Sequence, residues 1–333
     1  MIKVTALTAF KDDPCARFRF RPYFERLAAN GIEVSEHYPP IQRYRRQPLA
    51  TLGILLRLPG VIASRDADIT WFRRELIPER VTLERFTGGV RLFDVDDAIW
   101  LSSPTNFSER IVEMCDGVIA GNRFIAEHYE PLGKPVWIVP TVVDTDLWAP
   151  NPRAEDGKFI VGWLGTKYNL RYLYAIEEPL AEFFSRRADA RLRIVSEGKP
   201  DFRYIPKESV EHVPWSAGSE IAATQALDVG LMPLDDTDWA RGKNPTKMLC
   251  YLSVGVPAIA SPVGVSADVL QLGQVGLSAV DADGWFRALT ELYENRDRAK
   301  EMGRRGRELV EEHYSVNSNV KKLGDIFHTV VER

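Results

Sequence analysis

The chain has 333 residues, 45% of them hydrophobic, and a formal net charge of −4. A length well above that of one ordinary core favours two domains of about 150 residues each. The slightly acidic balance argues against general nucleic-acid binding, and the sequence has no run of about 18 apolar residues that could span a membrane.

Cysteine usage and the amino terminus bear on location. Cys15, Cys115 and Cys250 are scattered along the chain without the spacing of a metal site, so we expect reduced thiols. The sequence opens on a strand pattern, Ile2–Leu7, with no basic leader before it, and we therefore expect a cytoplasmic protein. Residues 1–91 hold 16 Lys and Arg against 10 Asp and Glu, which makes this region locally basic.

Strand and helix patterns alternate in the first half, which is typical of a parallel α/β sheet. Strands are predicted at Ile2–Leu7, Ile32–Ser35, Asp68–Phe72, Arg91–Asp94, Gly117–Ala120 and Val136–Val139. Helices are predicted at Arg21–Asn30, Leu49–Leu58, Ser108–Met114 and Phe124–Tyr129. Together they indicate a Rossmann-like domain over residues 1–150.

A polar stretch containing Pro and Gly, Asn151–Gly157, interrupts the alternation and is predicted to be the interdomain linker. Further strands are predicted at Phe159–Trp163, Ala190–Val195, Val210–Val213, Val229–Met232 and Pro257–Ala260. Further helices are predicted at Tyr172–Arg186, Glu220–Ala226, Thr246–Val254, Gly284–Asn295, Arg298–His313 and Val316–Glu332. They indicate a second Rossmann-like domain over residues 158–315.

The stretch from Arg241 to Ser261 is the most informative part of the sequence. Gly242 and Pro245 mark a loop, and a helix follows that ends at Gly255. The start of a helix carries partial positive charge and unpaired N–H groups, so it accepts an anion. Lys243 and Lys247 add charges that would oppose the helix dipole unless an anion is bound, which favours a diphosphate over a merely solvated helix start.

The same stretch resembles the nucleotide-sugar-binding segment of GT-B glycosyltransferases, specifically glycosyltransferase family 4. Matching positions are Lys247, Tyr251, Gly255, Pro257 and Ser261. The two acidic residues of the family's paired-Glu motif are absent, because Gly242 and Cys250 stand in their places. Other segments follow in the family's order and extend the resemblance over nearly the whole chain: Leu92–Asp97, Cys115–Asn122, Ile138–Asp144, Val161–Gly165, Asp228–Leu234 and Ser261–Val265.

The resemblance implies a GT-B fold, with two Rossmann-like domains facing a central cleft and the last helix, residues 316–333, crossing back onto the first domain. It implies a nucleotide-diphosphate sugar, UDP- or GDP-linked, as donor on the second domain. It also implies a glycan or lipid-linked acceptor on the first domain, as in polysaccharide biosynthesis. Transfer with retention of configuration, without a metal or another cofactor, is expected on the same ground.

Donor contacts are expected where a glycine-bearing turn follows a buried strand, because glycine lets the backbone approach a ligand closely. The resemblance implies that this turn and the Arg241–Ser261 stretch together grip the diphosphate. Arg17 after the first strand suits bidentate phosphate contact, although a surface cation at a helix start is equally compatible with the sequence. The implied set is Gly165, Thr166, Lys167, Arg171, Lys243, Asn244, Lys247 and Arg17.

Base and ribose contacts are implied at Val213, Trp215 and Cys250. In the family the base lies near the residue before the Pro of Val213-Pro-Trp215, and Trp215 is either a stacking platform or a core residue. Cys250 occupies the position of the Glu that holds the ribose hydroxyls, although a thiol is not a charged acceptor.

The acidic cluster Asp94-Val-Asp96-Asp97 follows a predicted strand, at the edge where open α/β sheets place ligands. Three interpretations are a metal-binding Asp pair, a helix cap with a turn, and a carboxylate that faces the acceptor hydroxyl. We favour the third, with Asp96 slightly ahead of Asp97 as the catalytic residue, and expect no metal.

A basic cluster, Arg43–Arg46, precedes the apolar segment Leu49–Ile62. Such a pair can rest on an anionic membrane surface, which would place the protein at the inner face of a membrane. Because buried helices of α/β folds look alike in sequence, packing of the apolar segment in the core is the favoured interpretation.

Two other functions stay open. The replaced acidic residues, Gly242 and Cys250, fit a non-catalytic relative that binds a nucleotide sugar or a partner without transferring anything. A sugar-nucleotide epimerase of similar fold needs more acids and bases near the sugar than the sequence offers.

Overall fold

Two parallel sheets of six strands each organise the chain, one in each of two units. The computed structural model describes residues 1–40, 49–151 and 156–332. The first unit comprises Met1–Val142, Gly242–Asn244 and Val316–Arg333, and the second comprises Val143–Arg241 and Pro245–Ser315.

The first unit has its strands in the spatial order β2-β1-β3-β4-β5-β6. The strands are β1 (Ile2–Leu7), β2 (Ile32–His37), β3 (Ile69–Arg73), β4 (Val90–Val95), β5 (Gly117–Ala120) and β6 (Val136–Ile138). The helices on this sheet are α1 (Pro14–Arg19), α2 (Arg21–Ala28), α3 (Leu49–Ala63), α4 (Phe107–Glu113) and α5 (Arg123–Tyr129). Central strands β3, β4 and β5 are buried almost throughout, as expected for a parallel sheet covered on both faces.

The second unit has its strands in the spatial order β12-β11-β10-β7-β8-β9. The strands are β7 (Phe159–Leu164), β8 (Ala190–Ser196), β9 (Val210–Pro214), β10 (Val229–Met232), β11 (Ala258–Ala260) and β12 (Gly276–Ser278). The helices are α6 (Leu170–Tyr174), α7 (Glu177–Ser185), α8 (Glu220–Gln225), α9 (Asp238–Arg241), α10 (Thr246–Ser253), α11 (Val265–Leu272), α12 (Ala282–Glu294) and α13 (Arg296–Leu309). A π-helical turn, Val310–Tyr314, ends α13.

The last helix, α14 (Val316–Val331), belongs to the first unit. Its inward side chains include Leu323, Phe327 and Val330, which are buried in the core of that unit. The Phe327 ring meets Trp71 edge-on at a centroid distance of 5.4 Å, and Phe20 stacks on the same indole at 3.8 Å. The end of the chain is therefore part of the first core.

Tyr251 fixes the packing of α10 on the sheet of the second unit. A Cβ on Gly230 would lie 2.2 Å from the Tyr251 ring, so glycine is needed there for the ring to sit on β10. The Tyr251 hydroxyl accepts from Leu164 N at 3.0 Å and donates to Leu231 O at 3.2 Å. Tyr251 thus ties the carboxyl ends of β7 and β10 to α10.

The boundary between the units differs from the prediction, which had placed residues 143–150 in the first domain. The Arg307 guanidinium on α13 donates to the carbonyls of Thr145 and Trp148 at 2.9 and 2.6 Å. The backbone of Val143 also donates to Tyr314 O at 2.9 Å. These bonds attach the segment to the second unit. Of the predicted linker, residues 152–155 lie outside the described residues.

Several local predictions were wrong, and helices α1, α9 and α11 were not predicted. The helix predicted over Tyr172–Arg186 is divided into α6 and α7, because Pro179 has no N–H to donate to the Ala175 carbonyl. Strand β12 was missed, since three residues with a glycine carry little strand signal. Gly276 is needed there because an added Cβ would lie 2.0 Å from Ala258 O.

The expectation that the apolar segment packs in the core was largely wrong. Helix α3 exposes Leu52, Leu55, Leu58 and Ile62 by 43, 56, 37 and 58% respectively. The basic cluster Arg43–Arg46 lies outside the described residues. No helix in the described ranges is long and apolar enough to cross a membrane.

Candidate functional site

A group of charged side chains and one thiol meets at the carboxyl ends of β1, β3 and β4 in the first unit, the edge at which α/β sheets bind ligands. We call it the strand-end cluster, and it consists of Asp13, Cys15, Arg73, Arg74, Asp96 and Asp97. Asp13 begins α1, where its Oδ1 accepts from Cys15 N at 3.1 Å. Its Oδ2 lies 2.9 Å from Arg73 Nε, so the α1 cap also fixes the end of β3.

Asp97 lies between two cations. Its Oδ2 is 3.5 Å from Arg74 Nη1, and its Oδ1 is 3.9 Å from Lys243 Nζ. Arg74 has a φ of +60°, which costs energy for a residue other than glycine and is often found at functional sites. Its backbone N–H donates to Asp94 O at 2.9 Å, which helps to fix this conformation.

Residues Gly242–Asn244 belong to the first unit, although their chain neighbours on both sides belong to the second. Asn244 Nδ2 donates to the Asp96 carbonyl at 3.1 Å, and Asn122 Nδ2 donates to the Gly242 carbonyl at 3.0 Å. A Cβ on Gly242 would lie 2.6 Å from the Ala98 Cβ. The structure thus places Lys243 and Asn244, which were predicted to bind the diphosphate, beside Asp96 and Asp97.

The two carboxylates differ in their electrostatics. Burial would raise the pKa of Asp96, but the charges of Arg73 and Arg19 hold that pKa below its ordinary value. Burial and the negative charge of Asp96 raise the pKa of Asp97, and Lys243 and Arg74 oppose that rise. Asp96 is therefore the permanently charged member, while Asp97, with a side chain 24% exposed, is the one that could exchange a proton.

Asp94 has a supporting role below the cluster. It is buried and paired with Arg19, and Trp71 Nε1 donates to its Oδ2 at 3.0 Å. Burial raises the pKa of Asp94 to about 6, against the lowering effect of Arg19. Arg19 also donates to the carbonyls of Ile119 and Val139, at 3.3 and 2.7 Å, so it connects α1 to three strand ends.

In the second unit, Gly165 follows β7 and lies against Lys247, the second residue of α10. A Cβ on Gly165 would lie 2.5 Å from the Trp163 ring and 2.8 Å from Lys247 Cε. The Lys247 ammonium is 5.7 Å from the centroid of Trp163. Pro245, at the N-cap of α10, makes no side-chain cap, so a glycine turn, a lysine and a helix start lie together, as anion binding requires.

The other predicted donor residues of this unit lie on the turn and short helix after Gly165. Lys167 packs its Cβ against the backbone of Gly198, and its ammonium is 5.2 Å from the Tyr168 ring. Thr166 Oγ1 accepts from Asn169 Nδ2 at 3.3 Å. Arg171 Nη2 donates to the Tyr172 hydroxyl at 2.9 Å, and this side chain is largely solvent-exposed. The cationic groups therefore follow the carboxyl end of β7.

The predicted base and ribose residues are more dispersed. Val213 lies on β9 and is half-buried, and Trp215 follows that strand, with its backbone N–H donating to Ser196 O at 3.1 Å. Cys250 is only 2% exposed on the inner face of α10, which disfavours a direct contact with a ribose. Arg17 is half-buried on α1, with its guanidinium 5.4 Å from the Phe18 ring.

Sequence reasoning missed Asp13, Arg73 and Arg74. The available signal was the pair Arg73-Arg74 directly after an apolar strand, because adjacent cations at the carboxyl end of a buried strand need anionic partners. The described ranges contain no group of three or more His, Cys, Asp or Glu that could hold a metal ion. The cysteines are all free thiols.

Comparison with known proteins adds evidence on the fold. No family model and no curated protein sequence matches the chain. Sucrose-phosphate synthase from Thermosynechococcus elongatus superposes with a TM-score of 0.75 at 14% identity, and the match covers 100% of both chains. HepE from Anabaena, in complex with UDP and glucose, gives 0.71 at 13% identity and covers 99% of this chain and 100% of its own.

A glycosyltransferase from Rickettsia africae gives a TM-score of 0.69 at 11% identity, covering 100% of this chain and 99% of its own. Identity this low shows the fold alone. With two parallel six-stranded sheets matched over essentially the full length, the chain has the GT-B fold, and the predicted fold class is confirmed.

Proposed function

We propose that the chain is a glycosyltransferase that moves a sugar from a nucleotide-diphosphate sugar to a glycan or lipid-linked acceptor, with retention of configuration. The observation that carries the proposal is the arrangement of Gly165 and Lys247 at the start of α10. A close backbone approach, a lysine and the start of a helix together suit a diphosphate. Among proteins of the same fold, HepE has been solved with UDP-glucose.

In this proposal Lys247, Lys167 and Arg171 neutralise the diphosphate as it leaves, in the role that a metal has in other transferases. Lys243 and Asn244 act from their positions beside the strand-end cluster, and Arg17 contributes from α1. Val213 and Trp215 contact the base, and the ribose contact implied for Cys250 is left out because that thiol is buried. The donor is UDP- or GDP-linked, and no metal takes part.

The acceptor chemistry is assigned to Asp96 and Asp97. Asp97 is the more exposed of the two and its pKa is raised, so it is the group suited to take the proton of an attacking hydroxyl. Asp96 stays ionised beside Arg73 and can stabilise positive charge that develops on the sugar ring. From the sequence, Asp96 was slightly favoured as the catalytic residue, whereas this proposal assigns the proton transfer to Asp97.

The experiment is a thermal-shift screen of the full chain with UDP, GDP, ADP and TDP, each with and without EDTA. A ligand at about 100 times its dissociation constant adds about 2.7 kcal/mol of stability. We expect a shift with UDP or GDP that EDTA leaves unchanged. The matched variant Lys247→Met should lose the shift, whereas Lys321→Met, at an exposed position of α14, should keep it.

The alternative is a non-catalytic relative that binds a nucleotide sugar or a partner, and it is favoured by the burial of Cys250 and by the close packing of Gly242 against Ala98. Slow hydrolysis of the donor nucleotide sugar without acceptor separates the two. A transferase turns over slowly, whereas a binder gives a thermal shift and no product. If no diphosphate shifts the transition, the transferase and the nucleotide-sugar binder are both wrong, and a non-catalytic relative that binds a partner takes their place.

We further propose that the protein works in the cytoplasm in contact with the inner face of a membrane, where a lipid-linked acceptor would be available. This membrane contact does not depend on the donor site.

A further inference from the structure

Helix α3 exposes a stripe of apolar side chains, although Val61 on the same helix is buried in the core. A surface helix turns its apolar stripe inward and its charged residues to the solvent. In α3 the exposed positions Leu52, Leu55, Leu58 and Ile62 recur at intervals of three or four residues and so share one face, and the neighbouring Pro59 is also exposed. No charged side chain lies among them.

The inward face of α3 explains why the leucines are outside. The helix's single charged residue, Arg57, is 7% exposed and donates to the Thr8 carbonyl. Gly60 lies so close to the sheet that an added Cβ would come within 2.9 Å of both Leu7 Cδ2 and His37 Cβ. A large apolar residue has no room at that point. The outward stripe is therefore fixed by the packing of the opposite face.

The sequence around the stripe is basic, although Arg43, Arg45 and Arg46 lie outside the described residues and Arg57 is buried. The sequence from His37 to Arg65 contains five arginines and no Asp or Glu, and Asp66 is the first acid after Glu36. Arg65, three residues after Ile62, is exposed and is followed by the exposed Asp66. An added Cβ on Gly88 would lie 2.6 Å from the Arg65 backbone, which brings the exposed Arg85 and Phe86 near this end of α3.

We propose that the exposed face of α3 is a docking surface for an anionic phospholipid membrane, with Leu52, Leu55, Leu58 and Ile62 inserted between the headgroups. An interfacial helix binds by apolar burial together with attraction between cations and anionic lipid. A second copy of the chain is a poorer occupant, because a two-fold pairing of this face would bring the exposed Arg65 and Arg85 of both copies to the same contact. The inference deepens the membrane contact of the proposed function and rests on that part alone.

The test is co-sedimentation of the full chain with vesicles of phosphatidylcholine alone or with about 30 mol% phosphatidylglycerol. We expect binding to the anionic vesicles that weakens as salt is raised. The double variant Leu55→Ser with Ile62→Ser should bind at least about tenfold more weakly. The matched control is Leu147→Ser with Val280→Ser, which removes two apolar side chains that are 63 and 82% exposed in the second unit, and it should bind as the unchanged protein does.

Several outcomes would overturn the proposal. One is failure of the unchanged protein to sediment with anionic vesicles at low salt. Equal binding by the Leu55 and Ile62 variant is another. A dimer that this variant dissociates, seen by light scattering without vesicle binding, would assign the face to self-association. Since all four substituted side chains are exposed, we expect unchanged thermal transitions, and UDP binding by the same variants in the absence of vesicles tests the transferase separately.

Discussion

The contact between Asp97 and Lys243 affects the pKa of Asp97 in the strand-end cluster. Lys243 Nζ, 3.9 Å from the carboxylate, opposes the rise in the pKa of Asp97 that burial and Asp96 cause. Replacing Lys243 by Met removes this opposing charge, so the pKa of Asp97 rises further. An acid that must be ionised loses activity as pH falls through its pKa. The acid limb of the activity profile should therefore move to higher pH.

The measurement is the pH profile of donor hydrolysis for Lys243→Met beside Lys321→Met, whose ammonium lies on exposed α14 near Asp325. The control profile should coincide with that of the unchanged protein. An acid limb that stays in place in Lys243→Met would mean that Asp97 is not the group that titrates in the reaction.

Gly165 tests the donor site with a single methyl group. In Gly165→Ala the new Cβ would meet the Trp163 ring and Lys247 Cε, so the turn or the lysine must move. Under the proposed function we expect the affinity for UDP to fall at least about tenfold, because a shifted Lys247 would no longer reach the phosphate. Gly218→Ala is the matched control, since an added Cβ there has nothing within 4 Å. Equal affinities by calorimetry would remove Gly165 from the donor site.

At the scale of elements, Arg19 and Asp94 connect α1 to the sheet of the first unit. Both are buried and paired, so removing one partner leaves an uncompensated charge. Arg19→Met and Asp94→Asn should each cost about 3–5 kcal/mol of unfolding free energy. The double variant should cost clearly less than the sum, because no charge is left alone. Urea denaturation of the three proteins measures the cycle.

The exposed pair of Arg186 and Glu182 on α7 provides the control for that cycle. Arg186→Met should cost well under about 1 kcal/mol, as surface ion pairs do. Additive losses in the Arg19 and Asp94 cycle would show that the buried pair has no coupling energy.

Elements were predictable wherever their pattern was long or strongly apolar. Strands β5, β7 and β10 were located to within a residue or two, because continuous apolar runs bounded by turn residues mark buried parallel strands. Helix α3 was also located, but the sequence did not predict which of its faces is turned outward. Its leucines fit a core helix by sequence, and only the contacts of Gly60 and Arg57 with the sheet show which face is turned outward.

The candidate site was predictable where a residue's role depends on its immediate neighbours. Gly165 follows strand β7 and Lys247 lies in the first turn of helix α10. Both positions were predicted from the order of these elements in the sequence. The position of Arg74 depends on its positive φ and on the fold, which brings Asp97 opposite it. Lys243 was assigned from its helix neighbourhood, whereas its observed partner Asp97 lies far away in sequence. Long-range pairing of this kind leaves no local signal.

At the scale of the whole molecule, the thiols report on the integrity of the fold. Cys115 and Cys250 are 1 and 2% exposed, while Cys15 is half-buried in the strand-end cluster, where burial raises its pKa. The native protein at neutral pH should therefore show only slow reaction with a disulfide reagent, at Cys15, and all three thiols should react once urea unfolds the chain. Cys15→Ser should abolish the native reaction. Fast native labelling of Cys115 or Cys250 would show that their units open locally.

The position of Gly242 limits what protein engineering can do with this chain. An obvious way to raise activity would be to restore the two acidic residues that the resemblance to family 4 implies, by Gly242→Glu and Cys250→Glu. The first puts a side chain where the Cβ alone comes within 2.6 Å of Ala98, and the second puts a carboxylate at a site only 2% exposed. Grafting the family motif would therefore disrupt the backbone that carries Lys243 and Asn244. Improvement by design or by random mutagenesis should start from the residues that now surround Asp97.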